Sequence, residues 1–255
     1  MSELVQVTTT DEGITTIILN RPDKRNALNI PMLTALCDAV DKSSTDDAVR
    51  VIILRGNGPV FCAGLDLKEA GDPEVAHQSA QLVSRALQAL YEAPKPTIAA
   101  VHGAAIAGGA GLMSCCDIAI ATMDCKFGYP EVHRGLVAGL VMTFLRRQVS
   151  ERFARELLLT GEIINAERAE AHNLINRAVP NDMLDDAVET YCDKLLKGSP
   201  QAIATTKAFF DQLHQRPIAD DLNAALELHV AIRTSDDAQE GMRAFVEKRT
   251  PNWTQ

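Results

Sequence analysis

A chain of 255 residues exceeds one typical domain and falls short of two, so it forms either a single large α/β domain or a domain with a small appendage. Hydrophobic residues at 46% and charged residues at 23% sit near the globular average and exclude collagen-like, coiled-coil and disordered chains. A net charge of -9 and only 4% aromatics argue against a nucleic-acid binder, which needs cations for phosphates and rings for base stacking.

In chain order, residues 4–9 and 14–19 read as two strands around the turn Asp11-Glu12-Gly13, a hairpin signal. Residues 29–40 read as a helix capped by Asn29, with Pro31 in its first turn and Leu33, Leu36, Cys37 and Val40 at helical spacing. Residues 51–54 form a short continuous apolar run, the mark of a strand covered on both faces. A long turn with Gly56, Gly58, Pro59 and Gly64 follows, then a helix over 75–91 ended by Pro94 and Pro96. Residues 97–101 and 118–121 read as buried strands, and 103–111 as a glycine- and alanine-rich turn entering a short apolar helix. Beyond residue 139 the pattern is mainly helical: 140–149, 151–159, 166–172, 182–196, 200–213, and 218–245 broken near Ser235. Alternating strands and helices followed by a helical tail predict a layered α/β core with a helical C-terminal region.

Residues 1–13 show neither the basic and apolar regions of a secretory signal nor the Arg-rich pattern of a transit peptide, so the expected compartment is the cytoplasm. Residues 97–116 lack Asp, Glu, Lys and Arg over about 20 positions, but their glycines, histidine and serine mark buried core rather than a membrane span. The six cysteines form no CxxC pair and read as reduced, buried thiols.

Several functional motifs fail on inspection. The stretch from Gly56 lacks the third glycine of a dinucleotide loop, and the turn from Gly103 lacks the lysine and hydroxyl of a P-loop. No cluster has metal-ligand spacing, and no GxSxG elbow is present. Two turns remain, residues 61–68 and 107–111. Their small residues serve either tight packing alone or a close approach of ligand to free backbone N–H groups, two of which could hold one developing oxyanion.

Five segments in order resemble the enoyl-CoA hydratase/isomerase (crotonase) family. They are Asn20-Arg21-Pro22 with Asn26-Ala27-Leu28-Asn29; Phe61-Cys62-Ala63-Gly64-Leu65-Asp66-Leu67-Lys68; Val101-His102-Gly103 through Gly109; Phe127-Gly128-Tyr129-Pro130-Glu131; and the C-terminal run from Glu240 to Arg249. The resemblance implies a crotonase-like spiral of repeated ββα units over residues 1–195 and a helical C-terminal trimerisation region over 196–255. It implies an acyl-CoA thioester substrate, with CoA part of that substrate and no separate cofactor or metal, and a homotrimer or dimer of trimers without nucleic-acid or membrane partners. By the same resemblance the N–H groups of Leu65 and Gly108 form the oxyanion hole. Ala63, Gly64, Asp66, Leu67 and Lys68 line the CoA path, and Lys24, Phe245 and Lys248 stand near CoA.

The resemblance also bears on the chemistry. Family hydratases use two glutamates: Gly111 occupies the position of the first, so that carboxylate is lost, and Glu131 matches the second. One glutamate suits a proton shuttle, and the expected reaction is Δ3,Δ2-enoyl-CoA isomerisation, with enoyl-CoA hydration or non-catalytic acyl-CoA binding as alternatives. His133 or Arg134 could substitute for the function absent at Gly111, though packing or salt bridging is their default role. Tyr129 is expected to line the acyl pocket, with donation of a hydrogen bond as the alternative, and the pocket walls are expected from residues 75–90 and 132–144.

Overall fold

The structure is a computed structural model that describes residues 4–66, 69, 73–213 and 217–252, with residues 73 and 74 described by backbone alone. Its elements run β1 (Val5–Thr9), β2 (Ile14–Leu19), α1 (Ile30–Thr45), β3 (Val51–Gly56), α2 (Pro73–Glu92), β4 (Thr97–Val101), β5 (Ala104–Ile106) and α3 (Gly108–Cys115). The chain continues through β6 (Ile118–Thr122), β7 (Lys126–Gly128), α4 (Gly139–Gln148), α5 (Glu151–Thr160), β8 (Ile163–Asn165), α6 (Ala166–Ala171), β9 (Arg177–Val179) and α7 (Leu184–Leu196). Three helices close it: α8 (Pro200–Gln212), α9 (Ile218–Ile232) and α10 (Asp236–Glu247).

The main sheet has the order β1-β2-β3-β4-β6-β9. The β1–β2 hairpin is antiparallel, pairing Val5 with Leu19, and every other neighbouring pair is parallel. The apolar run at 51–54 is explained by burial of both sheet faces. Ile52 and Leu54 join the large core with Leu33, Leu36, Leu87 and Leu90 of α1 and α2. Val51 and Ile53 point the other way, under Leu184, Val188 and Cys192 of α7. Each such fully buried aliphatic side chain contributes roughly 1.5–3 kcal/mol of transfer free energy.

Four short strands depart from the expected pattern. The expected turn over 103–111 contains β5, and β7, β8 and β9 lie in segments without alternation. Strands β5, β7 and β8 form a second, three-stranded sheet, parallel between β5 and β7 and antiparallel between β7 and β8. Three-residue strands are too short to show a period of two, so their identity comes from tertiary pairing. Helix α1 also runs to Thr45, past the last apolar residue of its periodicity, Val40. Its cap is the expected one, with the Asn29 side chain accepting from Met32 N at 3.1 Å. Along its polar end the Ser43 and Thr45 hydroxyls donate to carbonyls four residues back, at 2.7 and 3.0 Å.

The C-terminal helices are fastened by charge as well as by apolar packing. Arg147, at the end of α4, bonds Asp211 of α8 at 3.2 Å and Asp221 of α9 at 3.1 Å, and Tyr91 of α2 joins the group through its hydroxyl. The Arg147 and Asp221 side chains are only 5% and 8% exposed, so this network is desolvated; Arg146 also pairs with Asp221. Removing one member of a buried pair leaves the other charge uncompensated. Arg147→Ala is expected to cost about 3 kcal/mol of stability, measured by urea denaturation, and to expose α8 and α9 first in hydrogen exchange.

Candidate active site

Two backbone segments meet at the centre of the site. Cys62 and Ala105 form a parallel bridge, in which Cys62 N–H donates to Ala104 O at 3.1 Å and Ile106 N–H donates to Cys62 O at 3.0 Å. The 57–61 loop leading into the first segment is clamped by Asn26, whose buried amide donates to the carbonyls of Asn57, Val60 and Phe61 at 2.9, 2.9 and 3.1 Å. Glycine is required at Gly64 by a φ of +93° and by a neighbour: a Cβ there would stand 2.9 Å from Ile106 O.

The hydrogen bonding determines which way Leu65 faces. Gly64 O accepts from Leu28 N–H and Asp66 N–H donates to Leu28 O, both at 2.8 Å. Successive extended residues point their polar groups to opposite sides, so the Leu65 N–H turns away from Leu28. It turns toward Gly108, where a Cβ would lie 3.8 Å from Leu65 N. Gly108 is the first residue of α3, so its N–H has no intrahelical acceptor and lies at the positive end of the helix dipole. Ala107 orients it with φ 50° and ψ -120°, a conformation L residues rarely adopt, while Ala107 N–H is tied to Gly128 O at 2.8 Å. Such strain concentrates at functional positions.

Glu131 lines the same cavity as Leu65 and Gly108 and sits on the 3-10 turn Pro130–Arg134. The turn is pinned on both sides. Tyr129 is fully buried and shares a 3.0 Å hydrogen bond with Ser114 of α3, and Gly135 N–H donates to Val132 O at 3.2 Å. Glu131 as a residue is half-buried, but its Oε2 is inaccessible to solvent and has no hydrogen-bond partner among the described residues. Burial therefore pushes its pKa up to about 7, against the opposing pull of its own backbone N–H and of Arg134. Burial likewise lowers Arg134, which Glu131 partly restores.

A cavity of about 740 Å³, its open mouth included, joins these groups. Ala63, Leu65, Ala107 and Gly108 line one end together with Glu131, and the remaining wall is mainly aliphatic. The expected segments supply Val83, Arg134, residues 136–138, Leu140 and Val141. Two lining residues escaped sequence reasoning, His229 of α9 and Arg233 just past its end. Their four-residue spacing on one helix face was the only signal, and it does not say what that face covers. Arg233 Nε donates to His229 Nε2 at 3.2 Å, and burial together with Arg233 lowers the His229 pKa to about 4, leaving a neutral ring.

The other expected site residues are placed elsewhere. Tyr129 belongs to the core and does not line the cavity, because its hydroxyl is satisfied by Ser114. His133 faces away, with Nε2 at 2.8 Å from Thr160 O. Asp66 holds Arg21 at 2.7 Å and returns the chain to Leu28. Lys24 is exposed on the turn Pro22–Lys24, Phe245 lies beneath the Arg134 guanidinium at 4.8 Å, and Lys248 ends α10 with φ 53°. Leu67 and Lys68 lie outside the described residues. All six cysteines are unpaired and buried, as expected; burial pushes the Cys62 thiol up to about 12.

A side chain at Gly111 would force Val141 to shift. A Cβ there would stand 2.3 Å from Val141 Cγ1 and 3.4 Å from Leu87 Cδ2. Gly111→Glu is therefore expected to cost about 1–3 kcal/mol in denaturant unfolding, and Val141→Ala in the same chain to recover part of that loss. A second expectation follows from Glu131. Its native pKa of about 7 exceeds the unfolded value of 4.5, so the native state retains a proton that the unfolded state releases. The stability of the wild type relative to Glu131→Gln should fall by ~2–3 kcal/mol as pH rises from 4.5 through 7 and then level off, measured by denaturation across pH.

A family model described as Enoyl-CoA hydratase/isomerase matches residues 9–255. The chain is 31% identical over 254 residues to the 2,3-dehydroadipyl-CoA hydratase of Escherichia coli, with 99% of each chain covered. It is 35% identical over 254 residues to the Homo sapiens enoyl-CoA hydratase domain-containing protein 3, mitochondrial, covering 95% of this chain and 81% of that one. The crystal structure of an enoyl-CoA hydratase from Mycobacterium avium aligns with a TM-score of 0.88 at 33% identity, over 99% of this chain and 100% of that one. With sequence and fold agreeing over nearly the whole length, the chain belongs to the enoyl-CoA hydratase/isomerase family and has its crotonase fold.

Proposed function

We propose that this acyl-CoA enzyme isomerises 3-enoyl-CoA thioesters to 2-enoyl-CoA thioesters through a single carboxyl group. The thioester oxygen accepts hydrogen bonds from the Leu65 and Gly108 N–H groups, which stabilise the negative charge that develops when C2 loses a proton. Glu131 takes that proton, the C3–C4 double bond shifts to C2–C3 through a dienolate, and the carboxylic acid returns the proton at C4. A carboxyl group with pKa about 7 is suited to both steps, being a base strong enough to act near neutrality and an acid strong enough to give the proton back.

One observation carries this choice of reaction. Glu131 is the only carboxyl group among the described residues lining the cavity, and the position of a second is filled by packing of Gly111 against Val141. Hydration needs a further group to hold and activate water, and no second carboxyl group lines the cavity among the described residues. The names of the relatives favour a second reading, hydration of an enoyl-CoA with Arg134 or His229 ordering the water. The same proposal assembles the chain as a homotrimer or a dimer of trimers. Phe209, Phe210, Leu213 and Val246, each more than half exposed on or beside α8 and α10, are the apolar surface that association would cover.

The test pairs a 3-enoyl-CoA with the matching trans-2-enoyl-CoA and follows the thioesters by HPLC. The expected outcome is conversion of the first to the second, lowered roughly 10²–10⁴-fold in Glu131→Gln. The rate should decline as pH falls below about 7, because the base form of Glu131 is lost. Formation of 3-hydroxyacyl-CoA would select the hydratase reading, and CoA-ester binding without turnover would make the site a binder only.

A further inference from the structure

The charge inside the cavity is more specific than an aliphatic acyl chain requires. Besides Glu131, its ionisable lining groups among the described residues are Arg134, Arg233 and His229. His229 is neutral near pH 7, which leaves two guanidinium groups against one carboxyl whose own burial resists ionisation. Arg233 is engaged, donating to His229 and making further contacts. Arg134 differs. Its Nε is enclosed without a hydrogen-bond partner, and its guanidinium makes no hydrogen bond or ion pair among the described residues. The Phe245 ring lies 4.8 Å from the guanidinium carbon and orients the group while leaving its N–H edges open to the cavity.

The Nε–H of Arg134 is already enclosed without an acceptor, and an alkyl chain filling the cavity would desolvate the rest of the guanidinium as well. We infer that Arg134 is a specificity-determining residue and that the acyl group taken by this cavity carries its own carboxylate, held by the Arg134 guanidinium beyond the reacting carbons. The inference rests on the acyl-CoA reading above, because it takes the thioester to lie at the Leu65 and Gly108 N–H groups. Arg134 shares the cavity with Leu65, Gly108 and Glu131, and so stands within the pocket assigned to the acyl group. A guanidinium matches a carboxylate with two parallel N–H···O bonds, and the aliphatic wall from Val83 and Leu136 to Val141 accommodates the methylenes between carboxylate and thioester.

Isothermal titration with two saturated, unreactive thioesters tests this. Glutaryl-CoA and pentanoyl-CoA have the same chain length and differ at the chain end, carboxylate against methyl. Glutaryl-CoA is expected to bind at least roughly tenfold more tightly. In Arg134→Met, which keeps an unbranched stem over Phe245, the ratio of the two dissociation constants should collapse toward one. Arg134→Lys should retain part of it, because the charge remains without the planar fork. Equal or weaker binding of glutaryl-CoA by the wild type would overturn the inference. So would an unchanged ratio in a folded Arg134→Met protein, since the preference would then arise elsewhere. If neither thioester binds more tightly than free CoA, the acyl-CoA reading fails and this inference with it; pentanoyl-CoA binding without a glutaryl-CoA preference would reject the inference alone.

Discussion

Close approach of two backbone segments, residues 61–66 and 104–111, is the constraint around which the rest of the molecule is arranged. Side chains would prevent it: a Cβ at Gly109 would stand 2.3 Å from Cys62 O, and one at Gly64 would meet Ile106 O. With both positions bare, the segments hydrogen-bond across the Cys62–Ala105 bridge, and the Leu65 and Gly108 N–H groups converge on one end of a cavity. The surrounding fold holds this geometry in place. Asn26 clamps the first segment through three carbonyls, and the three-stranded sheet anchors the second through β5. The cost of the strained Ala107 is met by the wholly buried helix α3 behind it.

Helix α3 also couples the two halves of the site. Its first residue supplies the Gly108 N–H, and its Ser114 anchors Tyr129, two positions before Glu131. A movement of α3 would therefore shift N–H donor and carboxyl together, so their relative geometry survives small rearrangements of the core. Glu131 itself is destabilising in its ionised form, since it is enclosed and one of its oxygens lacks a partner. Carboxyl groups whose charge is held back by burial in this way cluster at functional sites.

The C-terminal helices act as a wall of the cavity as well as packing elements. The Arg147 network binds α8 and α9 to α4, and α10 packs against the turn carrying Glu131, where Gly241 lies against the Arg134 backbone. This docking brings His229 and Arg233 to the cavity and sets Phe245 under Arg134. The same helices leave Phe209, Phe210 and Val246 exposed, so one group of elements both shapes the cavity and presents an apolar surface.

The sequence by itself determined the β1–β2 hairpin, the doubly buried β3, the Asn29 cap and the long helices, because each rests on local periodicity or a local side-chain-to-backbone bond. Motifs in order also disclosed the family, the two glycine-rich turns, Glu131 and the bare position at Gly111. Tertiary structure decided what no local pattern encodes. The three-residue strands β5, β7 and β8 exist only through pairing with one another. Tyr129, adjacent to Pro130 and Glu131 in sequence, is withdrawn into the core by Ser114 rather than lining the cavity. His133 and Arg134 were equivalent candidates as neighbours in the chain, yet the 3-10 turn directs one toward Thr160 and the other into the cavity. His229 and Arg233 line the same cavity as Glu131 only because α9, far downstream in the chain, folds over it, and such long-range proximity leaves no trace in spacing or composition.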